Sequence, residues 1–293
     1  MEGVISLSLK EARNCYPGLL ERYTKKDIGV FIYVPKDIKI RMPYITSRNP
    51  YTLIIMEPDS ELTYVSENDS VSVEAYIGPG AHLYFLNLSR DSKDIYTDSN
   101  LSFFLKKSSI CDLFFLDLAK NRVKRDVKVS LLEEDATSNI RGIYILEGNE
   151  LLQYHILQEH KAPFTTSNLV YKGILKDDTK GLFKGEITIE KEAVQSDAYQ
   201  ANYTLILGEN ASIDTIPILE IKNNDLKRCT HGATVGQIDE DILFYMKSRG
   251  LEDKEALKLI SIGFLEEIIE DISSESIKLK VLKYIEEKLE VNN

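Results

Sequence analysis

The sequence predicts a mainly β protein that ends in a small helical module, and three observations carry that expectation. Short apolar or alternating runs recur from residue 51 to residue 221, each bounded by turn-forming residues. No helical pattern of useful length separates them, which excludes doubly wound α/β folds, where helices must cover a parallel sheet. At Gly236 the pattern changes to apolar residues recurring at helical spacing, and it stays so to the C-terminus.

In chain order, Leu7, Leu9, Ala12, Leu19 and Leu20 are weakly helical, and Pro17, Pro35, Pro43 and Pro50 punctuate the same stretch, so residues 1–50 are expected to form an N-terminal cap. Strands are then expected at 51–56, 61–66, 71–77, 82–88, 102–104, 113–116, 127–132, 142–147, 151–157, 169–175, 182–189, 203–207 and 213–221. Turn chemistry separates them: Glu57-Pro58-Asp59-Ser60, Glu67-Asn68-Asp69-Ser70, Gly78-Pro79-Gly80, Glu147-Gly148-Asn149-Glu150 and Gly208-Glu209-Asn210. The β body, 51–236, could close as a sandwich, a barrel or a solenoid of stacked coils. A sandwich module holds only about 100 residues, so one large sheet pair or a β-helix suits this length better. No repeat motif is visible, which irregular β-helices do not require.

The C-terminal module, 237–293, reads as three helices. Asp239, Glu240 and Asp241 open a run over 242–249 that closes with Lys247, Arg249 and Gly250, the charge order a helix dipole favours. A second helix is expected over 253–271 and a third over 276–290, where Ile277, Val281, Tyr284, Ile285 and Leu289 share a face. The second carries Ala256, Leu257, Leu259, Ile260, Ile262, Phe264, Leu265, Ile268 and Ile269, an arc wider than one buried stripe. It is either buried between the other helices and the β body or offered to a partner. From Asp239 onward there are 14 acids and 8 bases, so −6 of the net −11 lies in this module.

Composition bounds the function. With 36 Lys and Arg against 47 Asp and Glu, the chain repels phosphate backbones, so neither nucleic acid nor an anionic membrane is the expected partner. Cys15, Cys111 and Cys229 have no disulfide-framework spacing, which favours a reducing, cytoplasmic setting. No secretory leader pattern and no membrane-length apolar run is expected.

The sharpest chemical constellation is Arg228-Cys229-Thr230-His231-Gly232-Ala233-Thr234. In an extended segment, residues two apart point the same way, so Cys229 and His231 would project together as a soft thiolate and an imidazole suited to zinc, iron or an iron–sulfur cluster. Gly232 would permit close backbone approach. Two ligands do not close a site, and such a pair is also compatible with a purely structural role. His155 and His160 lie on opposite faces if extended, His82 has no nearby acid, and Cys111 reads as an ordinary thiol beside Leu113 and Phe114. No phosphate-binding glycine loop, nucleophile elbow or His-Glu-x-x-His is present, so no catalytic set is expected.

Several linked segments resemble the core of the SufB/SufD family of iron–sulfur cluster assembly proteins: Ala201-Asn202-Tyr203-Thr204-Leu205-Ile206-Leu207-Gly208, the run 213–221, Cys229-Thr230-His231-Gly232-Ala233-Thr234-Val235-Gly236, and Leu243-Phe244-Tyr245-Met246-Lys247-Ser248-Arg249-Gly250. The resemblance implies a right-handed parallel β-helix with helical ends, paired with a second SufB/SufD-type chain as homodimer or heterodimer. It also implies a SufC-type ABC ATPase on the C-terminal helices, with Leu243, Phe244, Tyr245, Arg249, Leu257, Ile260 and Phe264 as contact residues. The chain itself would be a non-enzymatic scaffold that binds no nucleotide, and sulfur would come from a cysteine desulfurase. Cys229 and His231 match the SufD-type Cys-x-His-Gly-Ala-Thr segment and would hold a transient iron–sulfur cluster at the subunit interface. SufB-type chains have Glu where Gly232 stands and a cysteine near Ala211, so this chain departs from them at both places. The alternatives are a β-helix carbohydrate-active or glycan-binding protein and a self-contained zinc site.

Overall fold

The computed structural model describes residues 3–46, 51–67, 70–90, 96–118 and 122–290, with side chains at 42–46 and 96 excepted; Pro50 and the Asn68–Asp69 turn pair lie outside these residues. In chain order the elements are β1 (Ile5–Ser8), α1 (Leu9–Cys15), α2 (Pro17–Tyr23), β2 (Val30–Val34), β3 (Lys39–Thr46), β4 (Thr52–Met56), β5 (Glu61–Ser66), β6 (Ser72–Ile77), β7 (His82–Ser89), β8 (Tyr96–Leu105), β9 (Ile110–Asp117), β10 (Arg122–Leu131), β11 (Thr137–Leu146), β12 (Leu151–His160), β13 (Thr166–Leu175), β14 (Lys180–Ile189), β15 (Asp197–Ile206), β16 (Ser212–Ile221) and β17 (Arg228–Gln237). Three helices follow: α3 (Glu240–Ser248), α4 (Asp253–Glu270) and α5 (Glu275–Leu289). From β2 onward, even strands build one sheet and odd strands the other, every pair parallel; β1 joins the first sheet antiparallel to β2. Each coil therefore contributes one strand to each sheet, which is the parallel β-helix that the family resemblance implied.

The coil lengthens along the chain. Val30 pairs with Thr52, 22 residues on, whereas Lys180 pairs with Ser212, 32 residues on. One corner nevertheless repeats in the first seven of the eight coils: Asp37, Asp59, Gly80, Ser108, Asp135, Phe164 and Gln195 each hold a left-handed φ between 53° and 65°. A small residue usually follows, as with Ser60, Ala81, Ser109, Ala136, Thr165 and Ser196, all buried. Ser60, Ser109, Thr165 and Ser196 donate their hydroxyls to the carbonyl three residues back, closing the turn and satisfying a buried polar group.

Alternation along each strand sends one set of side chains inward. The early coils fill with Ile32, Ile54, Leu62, Val73, Leu83, Phe85 and Phe103. The later coils are more polar inside: Arg125, Gln158, His160, Gln200, Asn202 and Thr204 are all buried. Outside, Leu9, Ala12 and Leu20 of α1 and α2 cover Phe31, Leu53 and Ile55 of the first sheet. The second sheet's outer face, with Leu86, Phe114, Leu116, Ile143 and Ile174, is covered by Leu265, Ile268 and Ile269 of α4 and by Ile277, Val281 and Ile285 of α5. Lys172–Glu267 and Arg141–Asp271, both at 2.7 Å, flank that contact. At the N-terminus of α1, Ser8 and Glu11 form a reciprocal capping box.

His160 makes a pH prediction. Its ring lies between Thr165 Oγ1 and Ser167 Oγ, each at 2.8 Å, and burial pushes its pKa down to about 4. The unfolded chain takes up this proton below about pH 6.5 while the folded one resists it, so stability present above that pH is lost as pH falls toward 4, by about 3 kcal/mol in all. The unfolding free energies from urea titrations at pH 7 and pH 5 should differ by about 2 kcal/mol more in the native chain than in His160→Asn. Equal pH dependence in the two proteins would contradict this.

Candidate functional site

The two sheets end at β16 and β17, and among the described residues no strand pairs beyond either. A solenoid's last coil exposes the core it would otherwise bury. Here the inward positions of β16, by register with Phe183, Gly185, Ile187 and Ile189, are Thr215, Pro217, Leu219 and Ile221. Those of β17, by register with Ala198, Gln200, Asn202 and Thr204, are Cys229, His231, Ala233 and Val235. Ile221 is 44% and Val235 48% exposed, against nearly complete burial of their counterparts in earlier coils.

Backbone direction separates the two edges. Ser212 N and Lys222 N donate to Thr179 O and Ile189 O on the β14 side, so alternation turns the backbone of Ile213, Thr215, Pro217, Leu219 and Ile221 toward the free edge. Pro217 therefore loses no ladder bond, and it interrupts that edge at its centre. Arg228 N donates to Ser196 O on the β15 side, so Cys229, His231, Ala233, Val235 and Gln237 present their N–H and C=O groups to the free edge. The edge of β17 carries no proline and is open to another strand.

Cys229 and His231 thus lie on one strand, on the inward face, at the mouth of the solenoid. Cys229 is half-buried against Ile187, Ile189, Ala193 and Ala198, and burial pushes its thiol pKa up. Metal binding would have to displace that proton. His231 is exposed. At Gly232 an added Cβ would meet Ala201 Cβ at 3.7 Å, an ordinary contact, so packing within this chain does not demand glycine there. Ala211 directly precedes β16 in the other sheet. Among the described residues no group of three or more His, Cys, Asp or Glu side chains could hold a metal. The thiol and imidazole fit half of a ligand set.

The expectation for His82 is overturned. Its Nε2 lies 2.7 Å from Asp112 Oδ2, and its ring stacks on Tyr84 at 3.9 Å. Asp112 comes from β9, in the next coil, which no local sequence pattern reveals. Asn139 donates to Asp112 and Asn168 to Asn139, so this is a polar ladder up the outer face. Cys111 is buried with Leu113 and Phe115 inside, whereas Phe114 faces the helices. His155 faces outward to Glu186 at 3.2 Å. Around it Lys128–Glu159 and Lys184–Glu186 pair across or along the strands, so these acids are matched by cations rather than forming a free acidic groove.

On the helical module, α3 buries none of its residues. Phe244 is 73% and Tyr245 57% exposed, and Arg249 lies over the Tyr245 ring and donates to its hydroxyl at 3.1 Å. Leu243, Leu257 and Ile260 are half-buried. Leu257 lines a cleft with Leu207, Gly208, Glu209 and Asn210. Phe264 packs onto the second sheet beneath Lys172. Among the described residues no helix is long and apolar enough to cross a membrane.

Comparison with known proteins adds a family. The SufBD core domain of the SUF system for FeS cluster assembly matches residues 42–264. The chain is 33% identical over 167 residues to the iron–sulfur cluster assembly protein SufD of Escherichia coli, covering 57% of this chain and 39% of that protein. It is 26% identical over 246 residues to an iron–sulfur cluster assembly SufBD family protein of Synechocystis sp., covering 78% and 54%. With the SufBD family protein of Staphylococcus epidermidis it shares 27% over 266 residues, covering 84% and 57%. The chain therefore spans 39% to 57% of the length of these relatives.

Proposed function

The chain belongs to the SufBD family of iron–sulfur cluster assembly proteins, and on that premise we propose that it is a non-enzymatic scaffold subunit on which nascent clusters are built and from which they are transferred. The observation that carries this reading is the uncapped solenoid end, where Cys229 and His231 share the exposed inward face. A second SufB/SufD-type chain would seat on that end, cover Ile221 and Val235, and add a strand to the open edge of β17. It would also supply the remaining ligands. The cluster is cargo: Cys229 would bind it as thiolate, His231 as imidazole, and a cysteine desulfurase would deliver the sulfur. With these partners the protein would work in the cytoplasm.

The C-terminal module, 237–293, would dock a SufC-type ABC ATPase, which keeps nucleotide binding and hydrolysis off this chain. The geometry favours α3 as the primary contact, through Phe244, Tyr245 and Arg249 with Leu243 beneath them, and Leu257 and Ile260 as the adjoining surface. Phe264, packed against the sheet, would act by positioning α4. Phe244→Asp combined with Tyr245→Ser should abolish co-purification with the ATPase while leaving the thermal midpoint of the chain alone within about 2 °C, since neither side chain is buried. Retained co-purification would move the dock away from α3.

A further inference from the structure

Gln200 lies one coil beneath His231 and in register with it, on the same inward face. Register neighbours in a sheet stand about 4.8 Å apart, within reach of a side-chain hydrogen bond. Gln200 is 2% exposed, and its Nε2 donates to Ile218 O at 3.4 Å. Its Oε1 is buried without any partner. Leaving a buried carbonyl oxygen unsatisfied costs about 1–3 kcal/mol, so an acceptor held there calls for a reason. The chain also gives up a side chain to hold it: an added Cβ at Gly185, on the facing strand, would come within 2.6 Å of Oε1. Above, the His231 ring has no hydrogen-bond partner within the described chain.

We propose that Gln200 is a positioning residue for His231: the two groups are not bonded in this structure, and a turn of the exposed ring would bring one imidazole nitrogen onto Oε1 as a donor, fixing the tautomer and aiming the other nitrogen outward as a ligand. A ligating histidine generally donates its second nitrogen to a carbonyl or carboxylate, which orients the ring and raises its basicity. The unpaired acceptor of the penultimate coil and the unpaired imidazole of the last coil are complementary in this sense. Gly185 provides the space that keeps the amide in place. The inference rests on the ligand role proposed for His231, but its test needs no iron.

The experiment is ¹⁵N NMR of the histidine rings in the 293-residue chain, whose four histidines keep the spectrum assignable. The wild-type His231 ring should show one dominant tautomer. Gln200→Leu should lose that signature and give the mixed population of a free imidazole. Gln200→Glu, of equal length and still an acceptor, should retain it, and Gly185→Ala should weaken it by displacing the amide. Unchanged His231 ring shifts in Gln200→Leu, or in Gly185→Ala if the leucine variant does not fold, would overturn the proposal. Failure of the cluster-ligand reading is separate: it would leave the tautomer result intact and appear only as iron binding indifferent to His231→Ala.

Discussion

Asp117→Ala or Arg125→Ala alone is expected to cost about 3–5 kcal/mol of folding stability, because each strands a buried charge inside the solenoid. Arg125 is wholly buried, and its Nη2 lies 2.5 Å from Asp117 Oδ1. Tyr154 donates its hydroxyl to the other carboxylate oxygen, and the guanidinium lies 4.7 Å from the centre of the Phe115 ring. Burial alone would make the guanidinium easier to deprotonate, but Asp117 beside it outweighs that and holds it charged. Arg125 Nε and Nη1 have no partner, so the pair is not an optimised network and need not add net stability. The double replacement Arg125→Met with Asp117→Leu should therefore recover most of the loss, as burying apolar groups in place of an ion pair commonly does. Urea unfolding of the three variants measures this. Single variants within about 1 kcal/mol of wild type would mean that the interior relaxes or hydrates around the remaining charge.

Gly173→Ala should destabilise by about 3 kcal/mol, at the upper end for overpacking. Gly142 pairs with Tyr171 and Tyr144 with Gly173 across β11 and β13, so each inward ring lies over the other strand's glycine. A Cβ at Gly173 would fall 1.8 Å from Tyr144 Cε2, and one at Gly142 would fall 2.0 Å from Tyr171 Cε1. Tyr144 cannot swing aside without losing Thr204 Oγ1 at 2.6 Å and Asn202 Oδ1 at 3.1 Å. Adding Tyr144→Ala to Gly173→Ala should relieve the clash and make the pair markedly non-additive. Additive losses would mean that the ring does not rest on Gly173.

Much of the architecture was legible in the sequence, because inward and outward residues alternate along each strand and the helices carry their own caps and spacing. The coil repeat was not. Its length varies from 21 to 32 residues, so the left-handed corner residue recurs at no fixed period and is Asp, Gly, Ser, Phe or Gln in different coils. The run expected at 102–104 lies near the C-terminal end of a ten-residue strand whose other inward positions include Thr97 and Ser99, buried but polar. Strand β17 lacked an apolar signature for a related reason: at the open end its inward positions are Cys229, His231, Ala233 and Val235, with glycines between and beyond. Cys229 and His231 could be placed side by side from their spacing, yet their position at the mouth of a solenoid depends on seven coils of preceding chain. The His82–Asp112 contact was invisible because its two residues are 30 apart and meet only through coil register.

We propose that clusters are assembled at this open end. Anaerobic reconstitution of the purified assembly with iron and sulfide tests it most directly. Thiolate-to-iron charge-transfer absorption should appear, collapse in Cys229→Ala, and weaken or shift in His231→Ala, with the fold intact in both. A spectrum unchanged by Cys229→Ala would contradict it and remove this end of the solenoid from the site.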